Sequence, residues 1–331
     1  LLLTVGAATS RLFGDNMGTT KCKLCGGHTK LLHSAGDYRR PEDQRVWKLL
    51  WCAGCEFGQI YHPNLNAEVV SDFYRIEFYT HGGASDRRDL EIPLSQKIMT
   101  RLAWSADAGV DIKIGELGID TSKSPRVCDI GCGRGWLLRE FISAGYVGVG
   151  VEPDDVAREL ANQVCPVYPG TAEQLPDDIR RGEFDVVVMT HSLEHCLDPS
   201  VGIKNVASLL SETGTLVIEV PNNACRGFDV YGPSWPWSDI PRHLNFFTPT
   251  SLEKILRDNG LKITRKFFAG FTRQFSSVWA NDQRRIANAI GASLPLNGET
   301  RRWYELAVSL FLAPERKYDS IRVHAKRLTS G

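Results

Sequence analysis

The sequence predicts an α/β fold built on a doubly wound, mostly parallel sheet. Short Val/Ile-rich runs alternate with amphipathic segments through residues 125–270, which is the pattern of repeated β-α units. The first of these runs passes directly into a glycine-rich turn and then a helix-like stretch. Ahead of them lie four cysteines in two tight pairs, which mark a small, separate metal-binding segment.

Taken in chain order, residues 1–16 begin with Leu and lack the basic start of a secretory signal. They are expected to be disordered or to reflect a start assigned upstream of Met17. Residues 17–80 form the metal-binding segment, and residues 81–124 a helical linker. A helix is expected over 93–108, where Leu94, Ile98 and Leu102 recur at helical spacing. Seven strands follow, at 126–130, 147–151, a short one near 166–168, 184–190, 215–220, 262–268 and 320–326. Between the last two comes a helical insertion, 271–318, with helices near 279–290 and 302–312; residues 319–331 supply the final strand and tail.

At 331 residues the chain is about two typical domains long. Hydrophobic residues make up 42% and charged residues 24%, a balance that supports a packed core and excludes a disordered or collagen-like chain. With 39 Lys and Arg against 39 Asp and Glu, the formal charge is zero, which argues against a general nucleic-acid binder. The most apolar stretch, residues 306–314, is about half the ~20 residues of a membrane-spanning helix.

Nine cysteines, four of them paired as Cys22-x2-Cys25 and Cys52-x2-Cys55, favour a reducing, cytoplasmic setting over a disulfide framework. Each pair places two thiolates in one turn, and two such turns give the four soft ligands that suit a structural Zn²⁺ with no open position. The other five, Cys128, Cys132, Cys165, Cys196 and Cys225, read as small buried residues.

In the turn after the first strand, Gly131, Gly133 and Gly135 allow a ligand to approach the backbone and the amides at the start of a helix. Glu152 ends the next apolar run, 21 residues after Gly131, at the spacing that lets a carboxylate accept ribose hydroxyls. The glycine spacing departs from the dinucleotide fingerprint. Asp129, two residues before the first glycine, would repel a pyrophosphate but suits an uncharged or cationic ligand.

These segments, VCDIGCGRG, GVGVEP and FDVVVMTHSLEHCLDP, resemble in content and order the motifs of class I S-adenosylmethionine-dependent methyltransferases. The resemblance covers residues 125–270 and implies a seven-stranded, Rossmann-like sheet with an antiparallel last strand, supplied here by SIRVHAKR. It implies that Asp129, Gly131 and Gly133 line the methionine end of the donor and that Glu152 holds its ribose. It also implies that Ala172 and Glu173, in TAEQLP, flank the adenine. Together with the cysteine pairs and PRHLNFFTP, the motif order resembles a bacterial group with an N-terminal zinc-ribbon-like segment, often linked to cell-envelope glycans and sugar methylation.

Candidate chemistry follows the ends of the fourth and fifth strands, where open α/β sheets bind ligands. His191 faces the expected cleft, Glu194 and His195 begin the next helix, and His243, in PRHLNFFTP, is the first candidate for general base. Tyr231, Trp235 and Trp237 are expected to wall an acceptor pocket, with Arg242 pairing with an anionic acceptor group. Trp136 is expected to pack rather than touch ligand.

The expected function is methyl transfer to a small hydroxylated acceptor, a sugar or glycan precursor such as a sugar nucleotide or lipid-linked glycan. O-methylation is favoured over C-methylation. The rival readings are a non-catalytic binding module, a methyltransferase for another secondary metabolite or lipid acceptor, and a nicotinamide-dependent reductase. The insertion, with Arg273, Arg284, Arg285, Arg301 and Arg302 beside apolar positions, reads as a lid or homodimer face and secondarily as a peripheral membrane contact.

Overall fold

Tight antiparallel pairing begins at the cysteine segment. In a computed structural model describing residues 20–73, 93–107, 112–179, 181, 183–294 and 299–328, three strands form a meander. They are β1 (Lys30–Ala35), β2 (Trp47–Cys52) and β3 (Phe57–Tyr61). Helices α1 (Ala67–Phe73) and α2 (Leu94–Ser105) follow. The expectations for residues 1–16 and for the first part of the linker lie outside the described residues.

The larger sheet takes its strands from the rest of the chain. Strand β4 (Arg126–Ile130) leads through the glycine turn into α3 (Trp136–Ser143), and β5 (Val147–Val151) into α4 (Asp155–Ala161). After β6 (Val167–Tyr168) come β7 (Phe184–Thr190), α5 (Pro199–Leu209), β8 (Leu210–Pro221) and α6 (Arg226–Tyr231). Then follow β9 (Asn245–Phe246), α7 (Pro249–Asp258), β10 (Leu261–Ala269), α8 (Ser277–Ala289), α9 (Glu299–Leu310), the single turn α10 (Pro314–Lys317) and β11 (Ser320–Arg327).

The seven strands lie in the order β10-β11-β8-β7-β4-β5-β6, with β11 antiparallel to both neighbours and the rest parallel. Helices cover both faces of such a sheet, so Val127, Cys128 and Ile130 of β4 and the run Val186–Met189 of β7 are buried. The chain leaves β4 toward β5 on one side and returns as β7 on the other. That reversal opens a crevice beyond the carboxyl ends of β4 and β7.

Two local devices aim the chain at this crevice. At α5, Asp198 accepts amide hydrogens from Ser200 and Val201, with Pro199 as first helical residue. At α7, Thr248 and Ser251 cap each other reciprocally, again with proline following the cap.

The cysteine segment is not a free-standing unit. Strand β9, two residues from the long loop after β8, pairs with β3 through Gly58↔Phe246 and Gln59↔Asn245 and completes a four-stranded sheet. Cys22, Cys52, Cys55 and Phe57 pack into the same apolar cluster as the core of the large sheet, and the Phe57 and Phe247 rings lie 5.3 Å apart.

Two expectations about exposure are corrected. α2 forms, but it turns Gln96, Met99 and Ala103 inward and leaves Leu94, Ile98 and Leu102 exposed. Trp136 does not pack; it is 74% exposed. No helix among the described residues is long and apolar enough to cross a membrane.

The β3–β9 junction leaves no room for a side chain at Gly58. A Cβ there would lie 2.8 Å from Phe246 Cβ and 3.0 Å from Trp51 Cε3. Gly58→Ala is therefore expected to destabilise the protein by about 1–3 kcal/mol, the usual effect of overpacking. Urea denaturation checks this, and an unchanged midpoint would contradict the junction.

Candidate active site

At the mouth of the crevice the turn after β4 bends with Gly131 at φ 76° and Gly133 at φ 52°, conformations that side chains other than glycine rarely adopt. A Cβ on Gly131 would lie 2.7 Å from Ser192 Cβ, so the turns after β4 and β7 touch there. A Cβ on Gly133 would meet nothing within 4 Å, which leaves the backbone open to a ligand.

Beside this turn stand two buried carboxylates at the tips of neighbouring strands. Glu152 Oε2 accepts the Gly133 amide at 2.7 Å and its Oε1 accepts the Asp154 amide at 3.0 Å. Burial raises the Glu152 carboxyl above its ordinary value, opposed by those two hydrogen bonds. Asp129, 3% exposed, is pushed up to about 7 by burial and by the charge of Glu152. These residues fit an adenosyl sulfonium. Glu152 is held with lone pairs to spare for hydroxyls, Asp129 gains by meeting a cation, and the open backbone at Gly133 gives room.

The segment expected to flank the adenine is tied to the elements around α5. Ala172 is buried, and its carbonyl accepts the Asn205 side-chain amide at 3.1 Å. The Glu173 carboxylate accepts the amides of Leu197 at 3.1 Å and Asp198 at 2.8 Å, so it shapes the turn before α5.

On the β7 side, His191 adopts φ 52°, a strained backbone for a non-glycine residue that places its ring over the crevice. Nδ1 lies 3.3 Å from Glu194 Oε1 and Nε2 lies 3.6 Å from Glu219 Oε1, and the ring stacks on Trp237 with centroids 4.7 Å apart. Burial disfavours its charge, but the two carboxylates outweigh burial and raise the imidazole to about 9. Burial likewise pushes Glu194 up, and the His191 bond with the nearby imidazoles reverses this and holds it at about 2.

His243 has the opposite character. It is 4% exposed, and burial together with neighbouring His195 lowers it to about 4. Its Nδ1 lies 2.8 Å from the Trp237 carbonyl, so Nδ1–H donates there and Nε2 keeps its lone pair, 4.0 Å from Glu194 Oε1. His195 is oriented the same way, with Nδ1 2.9 Å from the Arg242 carbonyl. Glu194, His195 and His243 thus bring three acceptor atoms within 4.8 Å of one another, a set able to accept a proton or ligate a divalent cation.

Arg242 does not reach an acceptor. Its fully buried guanidinium donates to Asp37 from two nitrogens, each at 2.8 Å, and to Asp239 at 2.9 Å. This clamp ties the loop carrying His243 to the segment after β1. Trp235 is buried rather than walling a pocket, with its ring 6.5 Å from Trp279. Trp237 remains at the crevice beside His191, and half-buried Tyr231 lines a cavity under α8 and α9.

Reading the sequence alone missed Glu219, Asp37 and Asp239. Glu219 had a signal, an acid inside the apolar run TLVIEVP of β8. The two aspartates had none.

The second cluster lies at the cysteines. The four Sγ atoms fall within 4.8 Å of one another, with Cys22–Cys55 and Cys25–Cys52 each at 3.5 Å, and Cys25 Sγ accepts the Gly27 amide at 3.4 Å.

The family described as a methyltransferase domain matches residues 109–266. The ubiquinone biosynthesis O-methyltransferase of Bradyrhizobium diazoefficiens is 30% identical over 156 residues, 43% of this chain and 60% of that protein. The enzyme of the same description from Methylococcus capsulatus is 26% identical over 150 residues, 42% of this chain and 63% of its own length. The chain therefore spans less than two thirds of these relatives. A solved S-adenosylmethionine-dependent methyltransferase from Mesorhizobium loti is 17% identical, covers 64% of this chain and 95% of its own, and has a TM-score of 0.43. Residues 109–266 are thus similar to a methyltransferase domain, and the seven-stranded sheet with its antiparallel β11 is the arrangement typical of that fold.

The raised imidazole of His191 gives a pH signature. The stability it contributes is complete below its ordinary 6.5 and is lost as pH rises through about 9. Wild type is expected to exceed His191→Asn in stability at pH 6, and the gap should close by pH 9.5; asparagine tolerates the backbone. A gap constant across that range in urea denaturation would contradict the charged assignment.

Proposed function

We propose that the protein transfers a methyl group from S-adenosylmethionine to a hydroxyl of a small acceptor, a sugar or glycan precursor. The observation that carries this reading is the pair Asp129 and Glu152 beside the open Gly133 backbone at the sheet's reversal point. When bound, S-adenosylmethionine supplies a methyl group already activated on a sulfonium. Glu152, fixed by the Gly133 and Asp154 amides, accepts the ribose hydroxyls, and Asp129 faces the cationic methionine end.

His243 is the general base. It is neutral at pH 7, its tautomer is set by the Trp237 carbonyl, and its Nε2 takes the acceptor's hydroxyl proton. The Glu194 carboxylate, 4.0 Å away, then stabilises the imidazolium. His191, charged and bonded to Glu194 and Glu219, attracts the electron-rich oxygens of the acceptor electrostatically, and Trp237, stacked on it, adds apolar surface for a sugar ring. An O-methyltransferase reading also accords with the relatives described as ubiquinone biosynthesis O-methyltransferases.

We assign Zn²⁺ to Cys22, Cys25, Cys52 and Cys55. A tetrahedron with Zn–S of ~2.3 Å has edges of about 3.8 Å, close to the 3.5 Å sulfur separations. The metal ties β2 and the turn after it to the core that also holds Phe57, and nine cysteines outside any disulfide accord with a reducing, cytoplasmic setting.

Two measurements test these assignments. Labelled S-adenosylmethionine and a panel of sugar nucleotides should reveal an acceptor. On it His243→Gln is expected to lower turnover by about 10²–10⁴-fold, with donor affinity within about twofold of wild type; wild-type turnover in that variant would remove His243 from the mechanism. Purified protein should contain about one zinc per chain, and chelation should lower its melting temperature. A metal-free preparation with an unchanged melting temperature would refute the structural zinc.

A further inference from the structure

A cavity of about 720 Å³ lies among the start of α2, Tyr231, α8 and α9. Its charged lining is three arginines, Arg284, Arg301 and Arg302, against one carboxylate, Glu299. Two nitrogen donors on lining residues are buried without a partner, Gln283 Nε2 and Arg301 Nε, and Gln283 is 8% exposed. Buried donors left unpaired are costly, and donors in excess call for an acceptor.

The hydrogen bonds made by two of these arginines leave their charge in place. Arg302 donates to Gln96 Oε1 at 2.6 Å and to the carbonyls of Phe275 and Ser276, all neutral acceptors. Arg284 donates to the Ala280 carbonyl and the Asn281 side chain of its own helix. Arg301 differs, being paired with Glu305, which also receives Arg226. Guanidinium groups gathered around spare N–H donors match the geometry of phosphate oxygens.

Trp279 stands one helical turn before Gln283 on α8, so the two share a face. Its ring meets Trp237 edge-on at 6.1 Å, and Trp237 stacks on His191. One turn of helix therefore separates the aromatic wall from the arginine-lined space.

We propose that this cavity receives the diphosphate of the acceptor, with the ring to be methylated lying against Trp237. The inference rests on the sugar-precursor reading above and narrows it to a diphosphate ester. Arg284 and Arg302, which donate to neutral acceptors, and the two spare donors complement the several oxygens of a diphosphate better than those of a single carboxylate.

The test is calorimetry on the full chain with inorganic pyrophosphate and, separately, uridine diphosphate, a diphosphate ester like that in a sugar nucleotide. Wild type should bind both, and each should displace the other. Arg284→Glu should weaken both by at least tenfold while S-adenosylmethionine affinity stays within twofold. Arg284 is exposed and hydrogen-bonded within its own helix, so this variant is expected to fold; an unchanged melting temperature checks it, and Arg284→Gln should give a smaller loss in the same direction. Failure of wild type to bind pyrophosphate at millimolar concentration, or equal binding by Arg284→Glu, would overturn the anion site. Pyrophosphate binding that uridine diphosphate cannot displace would overturn its assignment to a diphosphate ester. Loss of donor binding in wild type, with pyrophosphate binding retained, would instead sink the methyltransferase reading and leave the anion site standing.

Discussion

Two carboxylates held out of water at the tips of adjacent parallel strands set the terms for the rest of the crevice. Asp129 ends β4 and Glu152 follows β5, and the parallel pairing Asp129↔Gly150 and Ile130↔Val151 fixes their separation. Burying a carboxylate is costly unless something answers its charge. Glu152 is answered in part by two backbone amides, one of them from the glycine turn itself. Asp129 has its proton affinity raised instead, to about 7. A negative charge brought beside these carboxylates would be repelled, and a positive one attracted. The departure of the glycine spacing from the dinucleotide pattern points the same way.

On the opposite wall the same physics sorts three ionisable groups. Glu194 lies between two imidazoles, one raised to about 9 by flanking carboxylates and one lowered to about 4 by burial. At neutral pH one histidine is a donor and the other an acceptor, the division of labour that acid–base chemistry needs. Neither state is a property of histidine itself. It depends on Glu219 reaching from β8 and on the Trp237 carbonyl fixing one tautomer. The Arg242–Asp37–Asp239 clamp in turn holds the loop that carries His243.

Features encoded by local pattern were legible in the sequence. The parallel strands show as apolar runs, the glycine turn as three closely spaced glycines, and the sulfur cluster as two Cys-x2-Cys pairs. What escaped was set by partners far away in the chain. Arg242 reads as a partner for an anionic acceptor group until Asp37, 205 residues earlier, is placed against it. Asn245 and Phe246 are too few to show a strand period, and their pairing with β3 joins the cysteine segment to the loop that carries His243. In α2, periodicity gave the helix but the wrong face: Leu94, Ile98 and Leu102 point outward because Gln96 bonds to the Phe275 carbonyl and Met99 and Ala103 pack with Phe271. The carboxylate of Glu173 accepts amides of the turn before α5, 24 and 25 residues on, which its own segment does not foreshadow.

The claim that a raised Asp129 carboxyl meets a cationic donor has a direct thermodynamic consequence. At pH 6.5 that carboxyl is mostly protonated, and a cation beside it must expel the proton. Calorimetric titration of S-adenosylmethionine in buffers of differing ionisation enthalpy counts the protons exchanged. The account predicts release of roughly half a proton or more per donor bound, abolished in Asp129→Asn. Donor binding with no proton exchange, or with the same exchange in the asparagine variant, would contradict it.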